Sequence, residues 1–441
     1  MTTNMITNSQ VLFAAHIATR QQQLEQALEL SHYDELLIWS GAEITAFLDD
    51  YHYPFKPNPH FMAWLPLTHH AECWLQLRRG KKPVLYYYQP TDYWYAPPTD
   101  PESWWADHFE IKSISQPLPA RQIVSGSHTA MIGEIEDRGG VGDVSYNPQS
   151  LLNQLHLGRT LKTDWEVACI AAANRLAAHA HNVARDAFFA GESEFEIDMS
   201  YCRAAGLQEH EMPYGSIVAL NEHAATLHYQ GKDRSSPQQR HAFLIDAGAT
   251  YHGYAADITR TYTQESGVFS DLLSGMDELE LRLAGAAVTG VDYRELHVQA
   301  HHQIADLLHQ LGVLKVDAET AVAKGISSTF LPHGLGHYLG LQTHDVAGLI
   351  DNQGEDLPRP EGHPFLRLTR VLETGNVLTI EPGVYFIDSL LAKLKASENT
   401  GAVNWDLVDQ LRPYGGIRVE DNIVVAEQDS RNLTREAFAE L

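Results

Sequence analysis

The apolar positions of this chain change rhythm near residue 160. Before that point come short runs, LLIW at 36–39, PVLYYY at 83–88 and TAMIGEI at 129–135, with a helical stretch over 17–30. Short apolar runs read as strands, and their alternation with helix predicts an α/β domain. Among them lies TDYWYAPPTDPESWWADHF, aromatic and proline-rich, which predicts an irregular packed loop.

Beyond Leu161 helical spacing takes over. Thr163 and Glu166 form a capping box that opens the alanine-rich TDWEVACIAAANRLAAHAHNVARDAFF, while Ser193 with Glu196 and Asp292 with Glu295 open two further helices. The last of these carries Leu296, Ala300, Ile304, Leu307 and Leu311 at helical intervals. Between and after the helices come the β segments FLIDAG, YAADITRTY, NVLTIEPGVYF and GGIRVEDNIVV. The expected organisation is an α/β domain over 1–160 and an α+β domain over 161–441, with no internal repeat.

These β segments hold acids where an apolar residue would be expected. Phe243–Ile245 runs into Asp246, and Val377–Ile380 runs into Glu381 and the turn pair Pro382-Gly383. Asp257 interrupts YAADITRTY, and Glu420 sits inside IRVEDNIVV. Any one of them could be a capping or edge residue. Four together need compensation, because an unpaired buried carboxylate costs several kcal/mol. Arg260 and Arg418 are the only basic residues in these segments, and two cations cannot neutralise four anions, whereas divalent metal can. A hairpin closed around Tyr251 and His252 would set Asp246 opposite Asp257. Arg418 and Glu420 have the same parity and so share a face.

A fifth donor is available in LPHGLGHYLGLQTHDVAG, where His333, His337 and His344 are spaced by four and seven. Gly334, Gly336 and Gly340 oppose a helix there, each costing about 1 kcal/mol relative to alanine. A short strand or open loop is expected, with His333 and His337 on one side and His344 on the other. In a chain with 24 histidines, such a trio is also compatible with solvated polar filler. A set of two aspartates, two glutamates and at least one histidine, without thiolate, selects Mn, Co or Zn, and bridging carboxylates favour a pair of ions about 3.5–4 Å apart.

Composition narrows the remaining classes. A 44% hydrophobic fraction fits globular cores, and no apolar run approaches the roughly 18 residues of a membrane helix. The start, MTTNMITNSQ, has no basic stretch followed by an apolar one, so no secretory signal is expected. Cys73, Cys169 and Cys202 are scattered and odd in number, which reads as reduced thiols of a cytoplasmic protein. The formal charge of −26 removes nucleic acid and anionic membrane as partners.

The order Asp246, Asp257, His337, Glu381, Glu420, carried by LIDAG, ADITRTY, HGLGH, TIEPG and RVEDN, resembles the pita-bread metallopeptidase family, which includes methionine aminopeptidase, aminopeptidase P and prolidase. In the first domain FLDDYHYPFKPNPHF resembles the long bacterial Xaa-Pro dipeptidases, among them those called organophosphorus acid anhydrolases. The likeness runs from about residue 10 to 435. It implies a creatinase-like N-terminal domain and a pita-bread catalytic domain binding two divalent ions, Mn first, with Co or Zn as alternatives. Asp246 would hold one ion and Glu381 with His337 the other, with Asp257 and Glu420 bridging; the three glycines would let the backbone pass close to the metals. The ions would lower the pKa of a shared water to give hydroxide near neutral pH, and Glu381 would shuttle its proton to the leaving nitrogen.

The resemblance also implies that His228 and His344 steady the oxyanion and substrate and that His333 lines the pocket. Tyr214, in EMPYGSIVALNEHAATLHY, is a further pocket-lining candidate or else a core tyrosine. Arg418, on the face of Glu420, suits bidentate capture of a terminal carboxylate or else is a structural partner of Glu420 or Asp421. Asp50 would reach a neighbouring subunit's site and bind the substrate ammonium, making a homodimer or a dimer of dimers the working unit. The implied activity is hydrolysis of dipeptides with C-terminal proline, with a side activity on organophosphorus esters and fluorides. Aminopeptidase P activity on longer X-Pro peptides is the alternative. A non-catalytic scaffold or a metal-free creatine-hydrolase-like enzyme is opposed by the five intact donors. The long connection from Glu381 to Glu420 is expected to be a lid restricting substrates to dipeptides.

Overall fold

The computed structural model describes residues 2–134 and 144–441. The chain separates into two compact units, Met1–Cys169 and Ile170–Leu441, with the division inside the helix Asp164–Ala190 rather than at 160. That helix opens at the expected Thr163 and Glu166: Thr163 N–H donates to Glu166 Oε2 at 2.8 Å and Glu166 N–H to Thr163 Oγ1 at 3.4 Å.

In the first unit the apolar runs become a mixed six-stranded sheet. Its strands are β1 Glu35–Trp39, β2 Trp74–Arg78, β3 Val84–Tyr88, β4 Glu110–Ile114, β5 Thr129–Ile132 and β6 Val144–Tyr146, in the order β4-β3-β2-β1-β5-β6. Ile135, the last residue of the TAMIGEI run, lies outside the described residues. β1 is buried along its whole length, including Glu35. Burial pushes that carboxyl upward, but donors from Ser125, Gly126 and Gln76 outweigh it and hold the group below the usual carboxylate range. The helix Thr2–Ser31 packs against the helix Gln149–Thr160 and buries Phe13, Ile17, Leu24 and Leu28, a stripe at helical spacing.

The aromatic segment is irregular up to Glu102 but then forms the short helix Ser103–Ala106, and it is only partly packed. Trp105 and Phe109 are buried, whereas Tyr93, Trp94 and Tyr95 are 87%, 77% and 61% exposed. A second exposed feature is the short hairpin pinned by the Thr45–His52 bridge and by Tyr51 O accepting from Ala46 N–H. Asp50 sits at its tip beside exposed Phe47, Leu48 and Tyr51.

The second unit is built from small antiparallel sheets braced by helices. One sheet has β7 Ile217–Leu220, β8 Ala242–Asp246 and β11 Thr259–Thr263 in the order β11-β8-β7. Between β8 and β11 rises a two-residue-turn hairpin, β9 Thr250–Tyr251 and β10 Tyr254–Ala255. His252 and Gly253 at its turn have φ of +50° and +85°, the sign a type I′ turn requires. The turn therefore closes one residue later than the sequence suggested. Asp246 pairs with Thr259, and Asp257 lies diagonally across from Asp246 instead of opposite it.

The remaining strands are β12 Val377–Ile380, β13 Gly383–Tyr385, β14 Gly416–Arg418, β15 Asp421–Val424 and β16 Arg431–Asn432. They pair as β12-β15-β16 and β13-β14, and a single bridge between Thr259 and Glu420 ties β11 to this half. The connection from Glu381 to Glu420 is not an open lid. It holds the helices Asp388–Lys395 and Trp405–Leu411, and buries Leu391, Leu394, Val403, Val408 and Leu411 in the unit's largest core. The helix Ser193 opens has its capping box with Glu196, but Asp292 takes the Arg294 N–H and guanidinium as partners rather than Glu295.

One buried ion pair anchors the first unit. Arg20 Nη2 lies 2.5 Å from Glu166 Oε2, with both side chains at most 5% exposed. Burial alone would raise the Glu166 pKa, but Arg20, His16 and Lys162 outweigh it and bring it from 4.5 down to about 2. A folded pKa below the unfolded one stabilises above the unfolded value and is lost as pH falls through the folded value. Glu166→Gln is therefore expected to cost roughly 3–5 kcal/mol at neutral pH, by leaving Arg20 buried without its anion. That difference should shrink as pH falls from 4.5 towards 2. Urea unfolding followed by tryptophan fluorescence, which reports this unit apart from Trp405, checks it; a pH-independent difference would contradict the assignment.

Candidate metal centre

The ends of β8, β12 and β14 converge with the strand-like segment around His337. Asp246 closes β8, and Glu381 follows β12 where Pro382 ends the pairing. Arg418 ends β14 and Glu420 follows two residues later on the same face, as their parity required. The HGLGH segment is held against β12 by Thr379 N–H donating to His337 O at 2.9 Å and Glu381 N–H to Leu335 O at 2.8 Å.

This close approach accounts for Gly336. A Cβ there would meet Thr379 O at 2.1 Å and Tyr293 Oη at 2.5 Å, and one on Gly334 would meet Leu366 Cα at 2.9 Å. These glycines make room for a strand and a loop.

The five expected donors meet in one cavity. One ligand atom each from Asp257, His337 and Glu420 lie within 4.8 Å of one another, and all three residues are buried. His337 Nε2 stands 3.4 Å from Asp257 Oδ2 and 3.7 Å from Glu381 Oε1. Its Nδ1 lies 2.9 Å from Tyr338 O, which fixes Nδ1 as the N–H and leaves the Nε2 lone pair facing the carboxylates. Tyr214 Oη lies 2.7 Å from Asp246 Oδ1 and 2.5 Å from Asp257 Oδ1, so its single hydrogen is shared between the two aspartates and couples them.

Arg418 is more engaged than a free carboxylate reader. Its Nη2 meets Asp246 Oδ2 at 2.5 Å, Nη1 donates to Tyr385 Oη at 2.8 Å and Nε to Thr259 Oγ1 at 3.1 Å. Thr259 in turn donates to Glu420 Oε2 at 2.6 Å. Arg260 faces the opposite way, with Asp421 at 2.7 Å, leaving Arg418 as the one guanidinium of these segments in the cavity.

His333 and His337 share a side, both facing Glu381, and His333 Nε2 lies 2.8 Å from Tyr385 Oη. His344 is not on the opposite side. The chain reverses after Gly340, with Asp345 N–H donating to Tyr338 O, and brings the His344 ring edge-on to His337 at 4.4 Å. Burial above all lowers His333 to about 3 and His344 to about 4, and His228, exposed after the turn Asn221–Ala225, contributes the last and smallest part of both shifts. Asp50 belongs to the first unit.

Electrostatics show what the cavity lacks. Burial, helped by Asp257 and Asp246, pushes Glu381 up to about 7 against the pull of His337 and Arg418. Burial and the three neighbouring carboxylates raise Glu420 well above its ordinary value, and burial with Asp257 raises Asp246 despite Arg418. Asp257 is lowered, since His337 and Tyr214 outweigh its burial. Four carboxylates thus share one guanidinium and one imidazole. An oxygen-rich set with a single nitrogen donor fits hard or borderline divalent cations.

Thr259, Tyr385 and Asn422 were missed in the sequence. Asn422 holds the backbone of Asp257, accepting its N–H at 3.0 Å and donating back to its carbonyl. Tyr385 has the parity of Glu381 along the strand and Thr259 that of Asp257, which was the available signal.

The fold and this donor set define a metal-dependent peptidase. Residues 168–427 match the model of metallopeptidase family M24, and residues 11–157 match that of the Xaa-Pro dipeptidase N-terminal domain. The chain belongs to family M24. It is 47% identical over 429 residues to a Xaa-Pro dipeptidase of Shewanella amazonensis, covering 96% of this chain and 98% of the relative. Identity to a Xaa-Pro dipeptidase of Pseudoalteromonas translucida is 45% over 430 residues, with coverage of 96% and 98%. Aminopeptidase P from E. coli with the inhibitor Pro-Leu superposes with a TM-score of 0.71 at 23% identity, covering 95% of this chain and 97% of that one. That likeness establishes the architecture, an α/β domain followed by the pita-bread domain.

Gly336→Ala is expected to cost about 1–3 kcal/mol through overpacking and to move His337 away from Asp257. Thermal unfolding should drop, and metal content should fall with activity. Wild-type metal content in the variant would show that Gly336 is not what positions His337.

Proposed function

We propose that this chain hydrolyses dipeptides with C-terminal proline. The observation that carries the reading is the convergence of Asp246, Asp257, His337, Glu381 and Glu420 in one buried cavity with Arg418 at its edge. Full-length similarity to Xaa-Pro dipeptidases supports the substrate class. Asp246, Asp257, His337, Glu381 and Glu420 would hold two divalent ions, Mn first. Such ions supply Lewis acidity at a scissile carbonyl and lower the pKa of a shared water.

The chain's own groups do the rest. Glu381 takes the proton of the attacking water and delivers it to the leaving nitrogen, the proline ring nitrogen, which carries no N–H in the peptide bond. His344 and His228 donate to the developing oxyanion. His333, held by Tyr385, and Tyr214 shape the pocket, and the two aspartates keep their spacing through the Tyr214 hydroxyl. Arg418, charged at every working pH, draws the free carboxylate of the substrate.

A dipeptidase reads both termini, and the four marked carboxylates of the second unit, Asp246, Asp257, Glu381 and Glu420, are committed to cations. We assign the ammonium to Asp50 of a neighbouring copy in a homodimer or dimer of dimers. The exposed Phe47, Leu48, Tyr93 and Trp94 in the unit that carries Asp50 support a covered apolar surface. The three cysteines form no disulfide, in keeping with a cytoplasmic enzyme. Among the described residues no helix is long and apolar enough to cross a membrane. Phosphorus esters and fluorides with good leaving groups are a side reaction, because tetrahedral phosphorus resembles the intermediate of amide cleavage.

Removal of metal by a chelator should abolish cleavage of an X-Pro dipeptide, and Mn or Co should restore it. An X-Pro tripeptide should be turned over far more slowly; equal turnover would instead identify an aminopeptidase P. The dipeptide amide should be about tenfold to a hundredfold poorer than the free acid, the worth of one charge-assisted hydrogen bond. Arg418→Ala should erase that preference. If the preference survives, Arg418 only holds Asp246.

Asp50→Ala separates the ammonium contact from general damage. Dipeptide cleavage should fall at least about tenfold, while hydrolysis of an uncharged phosphorus ester at the same site should fall much less. Equal losses on both substrates, or a fully active monomer, would remove the intersubunit role.

A further inference from the structure

Three histidines of the second unit form a cluster that the peptidase chemistry does not use. His297 and His301 stand one turn apart on the helix Tyr293–Gln310, on the same buried stripe as Ala300 and Ile304. His363 joins them from the loop that follows Gly362, whose φ is +81°. Ring centroids are 4.7 Å apart for His297 and His301, 4.6 Å for His297 and His363, and 4.5 Å for His301 and His363. One nitrogen of each ring lies within 4.8 Å of the other two.

The hydrogen bonding of these rings is incomplete. His297 is 1% exposed, and neither its Nδ1 nor its Nε2 has a partner; His301 is fully buried, with Nδ1 3.0 Å from Ser327 Oγ and no partner for Nε2. A buried polar atom left without a partner costs about 1–3 kcal/mol, and native structures keep few of them. His297 and His301 thus bring unpartnered ring nitrogens to a cluster in which one nitrogen each of His297, His301 and His363 lie within 4.8 Å of one another with no carboxylate among them, which is what an imidazole-only ligand set requires.

We propose that His297, His301 and His363 form a second metal site, taking a borderline divalent cation of the zinc class. Zinc binds imidazole nitrogen at about 2.0–2.1 Å with tetrahedral geometry, which would bring the three nitrogens to roughly 3.3 Å from one another and leave a fourth position for water. In the structure one nitrogen of each ring stands within 4.8 Å of the other two, and the rings would close further on the ion. The donor chemistry separates the two centres, since the carboxylate cavity suits harder ions while three imidazoles favour zinc, copper or nickel over manganese. Burial first, and then the neighbouring imidazoles, lower His297 to about 2 and His301 to about 3; burial also lowers His363. All three lone pairs are therefore free at neutral pH, and no proton has to leave before binding.

The ion would act as a clip. His363 precedes Phe365 and Leu366, whose backbone presses on Gly334 beside His333. Fixing His363 to the helix Tyr293–Gln310 holds that loop against the segment that supplies His337.

The test compares total bound metal in wild type and His363→Ala after both are saturated with zinc and manganese and freed of excess ion. Wild type should carry one more equivalent per chain than the variant, whatever ions fill the carboxylate cavity. Zinc should also raise the thermal midpoint of wild type more than that of the variant, because an ion bound only to the native state stabilises it. Should the variant fold poorly, copper added to manganese-loaded wild type gives an independent reading by electron paramagnetic resonance. Coupling to three nitrogens supports the site. Equal metal content in the two proteins, or copper coupled to fewer than three nitrogens, overturns it.

Discussion

Asp246, Asp257, Glu381 and Glu420 are brought into one buried cavity, and their mutual repulsion governs how the second unit is built. Each ends or interrupts an apolar strand, so none can retreat to solvent without unmaking a sheet. The chain offers partial compensation through Arg418, the Tyr214 and Thr259 hydroxyls and the His337 ring. That is enough to hold the geometry but not to neutralise it, as the raised Glu381, Glu420 and Asp246 show. A buried cavity with surplus negative charge and oxygen donors suits divalent cations.

The surrounding contacts serve that placement. Gly336 lets the His337 backbone lie against β12, and Asn422 grips the Asp257 backbone from both its N–H and its carbonyl. The Thr259–Glu420 bridge joins the two halves of the sheet system at the point where the carboxylates meet. Asp421 next to Glu420 points away, where Arg260 and Arg435 outweigh its burial and lower it to about 2. Strand alternation thus gives adjacent acids opposite fates, one left short of cations and one saturated with them.

Much of this was legible in the sequence because a charge at the end of an apolar run has few innocent explanations. The donors Asp246, Asp257, Glu381 and Glu420 stood out for that reason, and His337 joined them through a glycine-rich segment unable to form a helix. Neutral partners carried no comparable signal. Thr259, Tyr385 and Asn422 are ordinary strand residues until the register is known. The hairpin register itself was off because the turn falls on His252 and Gly253, and a non-glycine residue at positive φ leaves no mark in composition. The connection from Glu381 to Glu420 looked like a loop since its helices are short, yet Leu391 and Val408 help build the core. The cluster of His297, His301 and His363 was invisible for a related reason, as its third member is remote in sequence.

The central claim is that the carboxylate cavity is a two-ion site, and crystals of the protein grown with manganese test it directly. Anomalous scattering at the manganese edge should give two peaks, roughly 3.5–4 Å apart. Both should lie between Asp246, Asp257, His337, Glu381 and Glu420, with Asp257 and Glu420 contacting both. A cavity without anomalous density, its carboxylates still joined only to Arg418, Tyr214 and His337 as here, would contradict the account.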